Sequence, residues 1–160
     1  MGDPAMTEFL GGPESPEKLA ERQRKYAKPD SGMFKIVDDA TGSGIGSVGF
    51  WDKNWRDGVV YETGWSVIPA YQGRGIAVAA TAQVIELARE TGRHRYMHAF
   101  PNVVNEASNA ICRTLGFEFL GPLDFEYPPG NPIRCNDWRF DLRSGVLAAL
   151  SASAERSRAR

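Results

Sequence analysis

The chain reads as a single mixed α/β domain, and three features carry that reading. Short β-rich runs recur at Met33–Val37, Gly44–Trp51, Val59–Ile68, Arg95–Phe100, Phe117–Leu120 and Trp138–Leu142, while the stretches between them carry helical periodicity. From Tyr61 to Gly92 a strand-like Y-E-T-G-W-S-V-I passes through Pro69 and the glycine-rich A-Y-Q-G-R-G-I-A into a long amphipathic pattern. No internal repeat is present, and 160 residues suit one domain able to bury a core without disulfides or metals.

Each element has a local reason. Ser15-Pro16-Glu17 supplies an N-cap, a proline at the first helical position and an acidic first turn; Leu19, Gln23 and Tyr26 or Ala27 then share a face, and Pro29 ends the helix before it. Met33–Val37 and Gly44–Trp51 flank D-D-A-T-G-S-G, which predicts an antiparallel hairpin. Val59–Ile68 is the next strand. Ala77, Ala80, Val84, Leu87 and Ala88 recur at helical spacing, with Arg89 and Arg93 suited to the C-terminal end and Gly92 as the stop. After the Arg95–Phe100 strand, Asn105 is an N-cap; Ala107, Ala110, Ile111 and Leu115 form the expected buried face, and Gly116 closes that helix. The proline-rich G-P-L-D-F-E-Y-P-P-G-N-P between the last two strands is long for a compact domain and is expected to be a functional or mobile loop.

Composition excludes several classes. A hydrophobic fraction of 42% with 24% charged residues is ordinary for a globular protein, and a net charge of -1 gives no basic excess to attract nucleic acid or an anionic membrane. Only R-S-R-A-R at the end is locally basic, and residues 144–160 are expected to form a tail, helical at first and then disordered. No apolar run approaches membrane-spanning length, and the opening M-G-D-P-A-M reads as a vector-derived remnant over residues 1–6 ahead of a domain at 7–143. Cys112 and Cys135 are too few for a disulfide framework and lack zinc-site spacing, so a reducing cytoplasm is the expected setting and no metal is expected.

The loop between strand and helix has the makings of an anion site. Gly73 and Gly75 permit a tight turn and close backbone approach, and a helix that begins at Ile76 or Ala77 offers unpaired N–H groups and the positive end of its dipole. A P-loop is excluded because no Lys-Ser or Lys-Thr follows; a Rossmann fingerprint is excluded because Gly73 and Gly75 are followed by Ile76, Ala77 and Val78, with no glycine at the last position.

This segment resembles motif A of the GCN5-related N-acetyltransferases, whose [QR]-x-x-G-x-[GA] is matched by Gln72, Gly75 and Ala77. A separate match is N-E-A-S-N-A-I-C-R-T-L-G-F, Asn105–Phe117, which resembles motif B, especially in the branch that acetylates ribosomal-protein N-termini. The resemblance spans about Gly32 to Leu142. It implies a mixed, mostly antiparallel central sheet flanked by helices, and acetyl-CoA as co-substrate with its pyrophosphate on the loop Gln72, Gly73, Arg74, Gly75, Ile76 and Ala77. Direct transfer to a primary amine in a ternary complex follows from the same resemblance. The acceptor is a protein N-terminus by branch, or a small amine or antibiotic; a non-catalytic acyl-CoA-binding domain is the alternative of another class.

Within the resemblance, a backbone N–H at Val67 or Ile68 binds the thioester carbonyl, Glu62 stands where the family has a proton-handling glutamate, and Ser108 lies near the thiolate. Cys112 replaces the tyrosine that serves many relatives as general acid, and a buried thiol is the plainer reading of it. Asn105 can cap its helix and also reach the pantetheine amides, and Asn109 is a further cofactor contact. His94 and His98 are read as ordinary strand histidines, because four residues along a strand separates them by about 13 Å and rules out a paired metal site. Trp51, Trp55, Phe125 and Tyr127, with Asp124 and Glu126, are candidate walls of a pocket for a cationic amine. Set against the resemblance, the family's usual first strand and helix are expected to be missing, which would leave a sheet edge uncovered and predicts a homodimer.

Overall fold

The computed structural model describes residues 4–9, 12–126, 129–144 and 146–147. Four helices and six strands follow one another as α1 (Pro4–Thr7), α2 (Pro16–Tyr26), β1 (Met33–Val37), β2 (Gly44–Trp55), β3 (Gly58–Val67), α3 (Ile76–Thr91), β4 (Tyr96–Ala99), α4 (Glu106–Leu115), β5 (Glu118–Glu126) and β6 (Pro132–Asp141), with a 3-10 turn at Pro69–Tyr71. The strands form one sheet in the order β1-β2-β3-β4-β6-β5. Every neighbouring pair is antiparallel except β3 and β4, which are parallel. This is the mixed, mostly antiparallel α/β architecture expected from the sequence.

Local chemistry explains the element ends. The Ser15 hydroxyl accepts from the Lys18 N–H at 3.4 Å and Pro16 occupies the first helical turn, so α2 starts at the expected cap. Gly92 and Gly116 close α3 and α4 in the left-handed conformation, with φ of 66° and 88°. β2 runs four residues past the expected Trp51, to Trp55, and pairs with β3 across the tight Arg56-Asp57 turn through Trp55↔Gly58.

The core lies between one face of the sheet and helices α3 and α4. Val48, Phe50, Tyr61, Met97, Ala99, Trp138 and Phe140 from the strands meet Ala82, Val84, Ile85 and Ala88 of α3 and Cys112 and Leu115 of α4. Phe50 and Tyr61 pack edge to face at 5.1 Å, the arrangement that opposed ring quadrupoles favour. Two helix faces are rotated from expectation. Leu87 is 39% exposed, and α3 buries Thr81, Ala82, Val84, Ile85 and Ala88 instead. On α4, Ala107 is exposed, and the buried stripe is Asn109, Cys112 and Leu115. The expected loop over G-P-L-D-F-E-Y-P-P-G-N-P is instead mostly hairpin: Leu123 pairs with Cys135 and Phe125 with Ile133. Its prolines are tolerated because β5 is an edge strand and Pro132 begins β6. Tyr127 lies outside the described residues, as do residue 145 and residues 148–160 of the expected tail.

Asn109 ties α4 to the sheet. Its amide donates to the Asn102 carbonyl at 2.9 Å and the Asn105 carbonyl at 2.8 Å, and its oxygen accepts from Asn136 at 2.8 Å and the Trp138 indole at 2.9 Å. Both donors and both acceptor sites of a residue only 2% exposed are thus filled. Asn109→Ala should strand several of these groups at once and lower stability by about 3 kcal/mol or more. Urea unfolding followed by circular dichroism would read this as a fall in midpoint at unchanged slope.

Candidate active site

The site begins where two parallel strands part. β3 and β4 pair only at Tyr61↔Met97 and Glu62↔His98, and the remainder of β3 up to Val67 has no partner strand on that edge. Ile68 donates to Ile45 on the β2 side at 2.9 Å, so strand alternation turns the Val67 N–H the other way, toward the opening. The structure therefore separates the two expected carbonyl donors: Val67 faces the gap, whereas the Ile68 N–H is committed to β2.

The loop that follows is held from several sides. Gln72 donates its side-chain amide to the Val67 carbonyl at 2.8 Å, Tyr71 donates to Asp38 at 3.3 Å, and Arg74 donates to the Ala70 carbonyl at 3.0 Å while its guanidinium lies 5.0 Å from the Tyr71 ring centre. Gly73 and Gly75 both adopt left-handed conformations, φ 73° and 75°, and a Cβ built on either would meet nothing within 4 Å. Backbone conformation, not crowding in the free protein, is thus what calls for glycine here. Gly75 caps the 16-residue α3, no side chain satisfies the N–H groups of its first turn, and Ile76, Ala77 and Val78 point those donors outward from the loop. Six expected loop residues, Gln72 to Ala77, accordingly form one continuous turn, although the Gln72 side chain serves the loop itself.

α4 starts from the other strand of the pair. The Asn105 side chain accepts from the Ser108 N–H at 3.0 Å, which spends that oxygen on the cap, whereas the Ser108 hydroxyl has no partner among the described residues. Asn109, expected to touch cofactor, faces inward with its amide fully engaged, so its part is to hold Asn102 and Asn105 in place. Burial pushes the Cys112 thiol up to about 12, which fits a packing residue and not a proton donor.

The sheet face opposite the core carries a second group of side chains that alternation places together. Glu62 accepts from the Trp51 indole at 3.3 Å and pairs with the Lys53 ammonium at 3.0 Å. That ammonium also lies 5.0 Å, 5.3 Å and 6.0 Å from the ring centres of Phe125, Phe100 and Trp55, which pack on one another at 4.8–5.6 Å. The face therefore already accommodates an ammonium in an aromatic box beside a carboxylate. Of the expected wall, Trp51, Trp55 and Phe125 are present, but Asp124 and Glu126 alternate to the far side of β5 and are exposed, with Asp124 pairing to Arg134. Burial, and secondarily the nearby Glu62 charge, push the Cys135 thiol up to about 11.

One member of this face, His98, was not legible as functional in the sequence; His94 lies on the other face, against the Tyr61 ring. His94 precedes β4 and pairs with Asp52 at 3.0 Å, while His98, on β4, is 4% exposed and its Nδ1 lies 2.6 Å from Asp137, itself 1% exposed. The two histidines thus do not share a strand. The alternation Trp51, Lys53, Trp55 was a signal that Lys53 joins the aromatic face; nothing in the spacing marked Asp137 as the partner of His98. Among the described residues no group of three or more His, Cys, Asp or Glu side chains is placed to hold a metal ion.

Known proteins share this architecture. A family model described as an acetyltransferase (GNAT) domain matches residues 1–118 of the 160. A GNAT-family acetyltransferase from Bacillus anthracis superposes with a TM-score of 0.74 at 17% identity, over 89% of this chain and 85% of that one. A phosphinothricin acetyltransferase from Sinorhizobium meliloti, solved in complex with AcCoA, gives 0.67 at 21% identity over 91% and 83%. The ribosomal-protein-S5-alanine acetyltransferase from Vibrio fischeri gives 0.62 at 20% identity over 81% and 69%. At these identities the structural matches establish the fold, and with a family model covering more than half of its length the chain belongs to the GNAT acetyltransferase family.

Proposed function

We propose that this chain is an acetyl-CoA-dependent N-acetyltransferase that moves the acetyl group directly to a primary amine within a ternary complex. The observation that carries the reading is the Gly73–Gly75 turn, which leaves the first N–H groups of α3 uncapped at the mouth of the β3–β4 opening into which the Val67 N–H points. In this reading the pyrophosphate takes the donors of the Gln72–Ala77 loop and the pantetheine arm lies in the opening, where Asn105 borders it. The Val67 N–H polarises the thioester carbonyl, a use of a fixed dipole that helps only as charge develops on oxygen. Glu62 handles a proton of the amine, directly or through water, and Ser108, with its free hydroxyl, returns one to the thiolate.

The motif B resemblance favours a peptide or protein N-terminus as acceptor. A second reading, a small cationic amine, rests on the aromatic side chains Trp55, Phe100 and Phe125 next to Glu62, a box that the Lys53 ammonium occupies here and that an acceptor would have to take over from it. Two unpaired, buried cysteines suit a reducing compartment, the cytoplasm. A homodimer is supported by the β1 edge, where Phe34 and Val37 are each 44% exposed beside unpaired backbone groups. Sedimentation at micromolar concentration should then report about twice the 17.6 kDa chain mass; a monomer would remove the dimer from the account.

Thiol release from acetyl-CoA with a panel of peptides and small amines tests the activity; binding without release would favour a non-catalytic acyl-CoA-binding domain. Gly75→Val should weaken acetyl-CoA binding by at least about tenfold, a loss of ~1.4 kcal/mol, because a β-branched residue resists φ near 75°. Calorimetry on the folded variant reads this, and unchanged affinity would detach the loop from the cofactor. Glu62→Gln should lower kcat by about 100-fold and leave acetyl-CoA affinity within about twofold, as expected of a group that handles protons. Equal losses in both would make Glu62 a binding residue instead.

A further inference from the structure

Two polar atoms on the face that carries Glu62, Trp55 Nε1 and Asp137 Oδ2, are enclosed without a hydrogen-bond partner, with only the Arg56 guanidinium at 3.6 Å from that oxygen. Beside them His98 Nε2 makes no hydrogen bond among the described residues and is not itself sealed off. Buried polar atoms are nearly always satisfied, and a cluster of exceptions marks a place where something else is bound or exchanged. Both enclosed atoms belong to neighbours of one ring: His98 stacks on Phe100 at 5.7 Å, lies 6.2 Å from the Trp55 ring centre, and holds Asp137 at 2.6 Å. Glu62 is its direct register partner on β3, one strand spacing of about 4.8 Å away.

The geometry points to His98, oriented by Asp137, as a catalytic base that removes a proton from the acceptor ammonium. This rests on the acetyltransferase reading and adds a residue to it. An aspartate that accepts from Nδ1–H fixes the neutral ring in the tautomer whose lone pair is on Nε2, the nitrogen left free here. Histidine is also the side chain that exchanges protons near neutrality. The charged groups facing it from the neighbouring elements are otherwise committed: Glu62 of β3 to Lys53 of β2, Arg56 at the β2–β3 turn to Asp137, and Arg139 of β6, directly across from His98, to Glu118 of β5. Cys135 is a neutral thiol at this pH.

The chemistry needs a second proton acceptor. An ammonium acceptor loses two protons on its way to an amide: the first frees the nitrogen lone pair, and the second leaves after the C–N bond forms and the C–S bond breaks. His98 Nε2 takes the first and releases it to solvent. The second passes by way of Glu62 or water to Ser108, which protonates the CoA thiolate, so that ammonium and acetyl-CoA give amide, CoA thiol and one proton.

His98→Asn tests this, because its amide can keep a donor on Asp137 but cannot titrate. We expect kcat with the amine acceptor to fall about 10²- to 10⁴-fold at neutral pH with acetyl-CoA affinity unchanged, and the deficit to narrow as rising pH supplies free amine. A folded His98→Asn protein with the kcat and pH profile of the unmodified chain would overturn the assignment. Nitrogen-15 NMR of the histidines in the unmodified chain gives a second reading independent of any variant: His98 as the Nδ1–H tautomer is expected, and Nε2–H would overturn the proposal even if the variant failed to fold. Turnover by the unmodified chain with no effect of His98→Asn removes the dyad alone, whereas acetyl-CoA binding with no thiol release for any amine removes the transferase reading and the dyad with it.

Discussion

The structure depends on one interruption in the hydrogen bonding of its sheet. β3 and β4 run parallel and pair at only two positions before they part, which leaves the backbone of β3 from Thr63 to Val67 bonded to β2 on one side and open on the other. A strand edge inside a sheet is costly to leave without partners, and here the opening is bordered by the backbone of β3 and closed at one end by the Glu62↔His98 pair. It can receive an extended, amide-bearing chain much as it would receive another strand.

Parallel pairing has a second consequence, because both strands end on the same side and each is followed by a helix. The N-termini of α3 and α4 therefore come to the same end of the opening, the position where open α/β sheets bind ligands. The two ends differ in chemistry. α4 is capped by its own Asn105, whose oxygen takes the Ser108 N–H, while α3 begins at Gly75 with no side-chain cap. α3 has no side-chain cap to compete with an anion, and Gln72 and Tyr71 hold its loop against β3 and Asp38 so that its donors are fixed before a ligand arrives.

Most of the scaffold was legible in the chain because it depends on local chemistry. Ser15, Asn105, Gly92 and Gly116 announced helix ends, and the Met33–Val37 strand falls where the turn-rich D-D-A-T-G-S-G placed it. What was not legible depends on partners distant in sequence. The role of Asn109 comes from Asn136 and Trp138, 27 and 29 residues on, and a cofactor contact and a structural hub look alike without them. Asp137 and His98 meet across 39 residues, and Lys53 finds its aromatic box only once β4 and β5 have been assembled beside it. The proline-rich stretch misled for a related reason: prolines that would break a central strand are harmless on an edge, and edge status is a property of the sheet.

The central claim is that the head of α3 and the adjoining gap form the acetyl-CoA site. Titrating acetyl-CoA into nitrogen-15-labelled protein and following the backbone amides addresses it most directly. The account predicts that the largest shifts fall on Gly73, Gly75, Ile76, Ala77 and Val67. Shifts concentrated elsewhere, for instance on the basic surface at the end of α2 formed by Arg24, Lys25 and the following Lys28, with the loop unmoved, would contradict it.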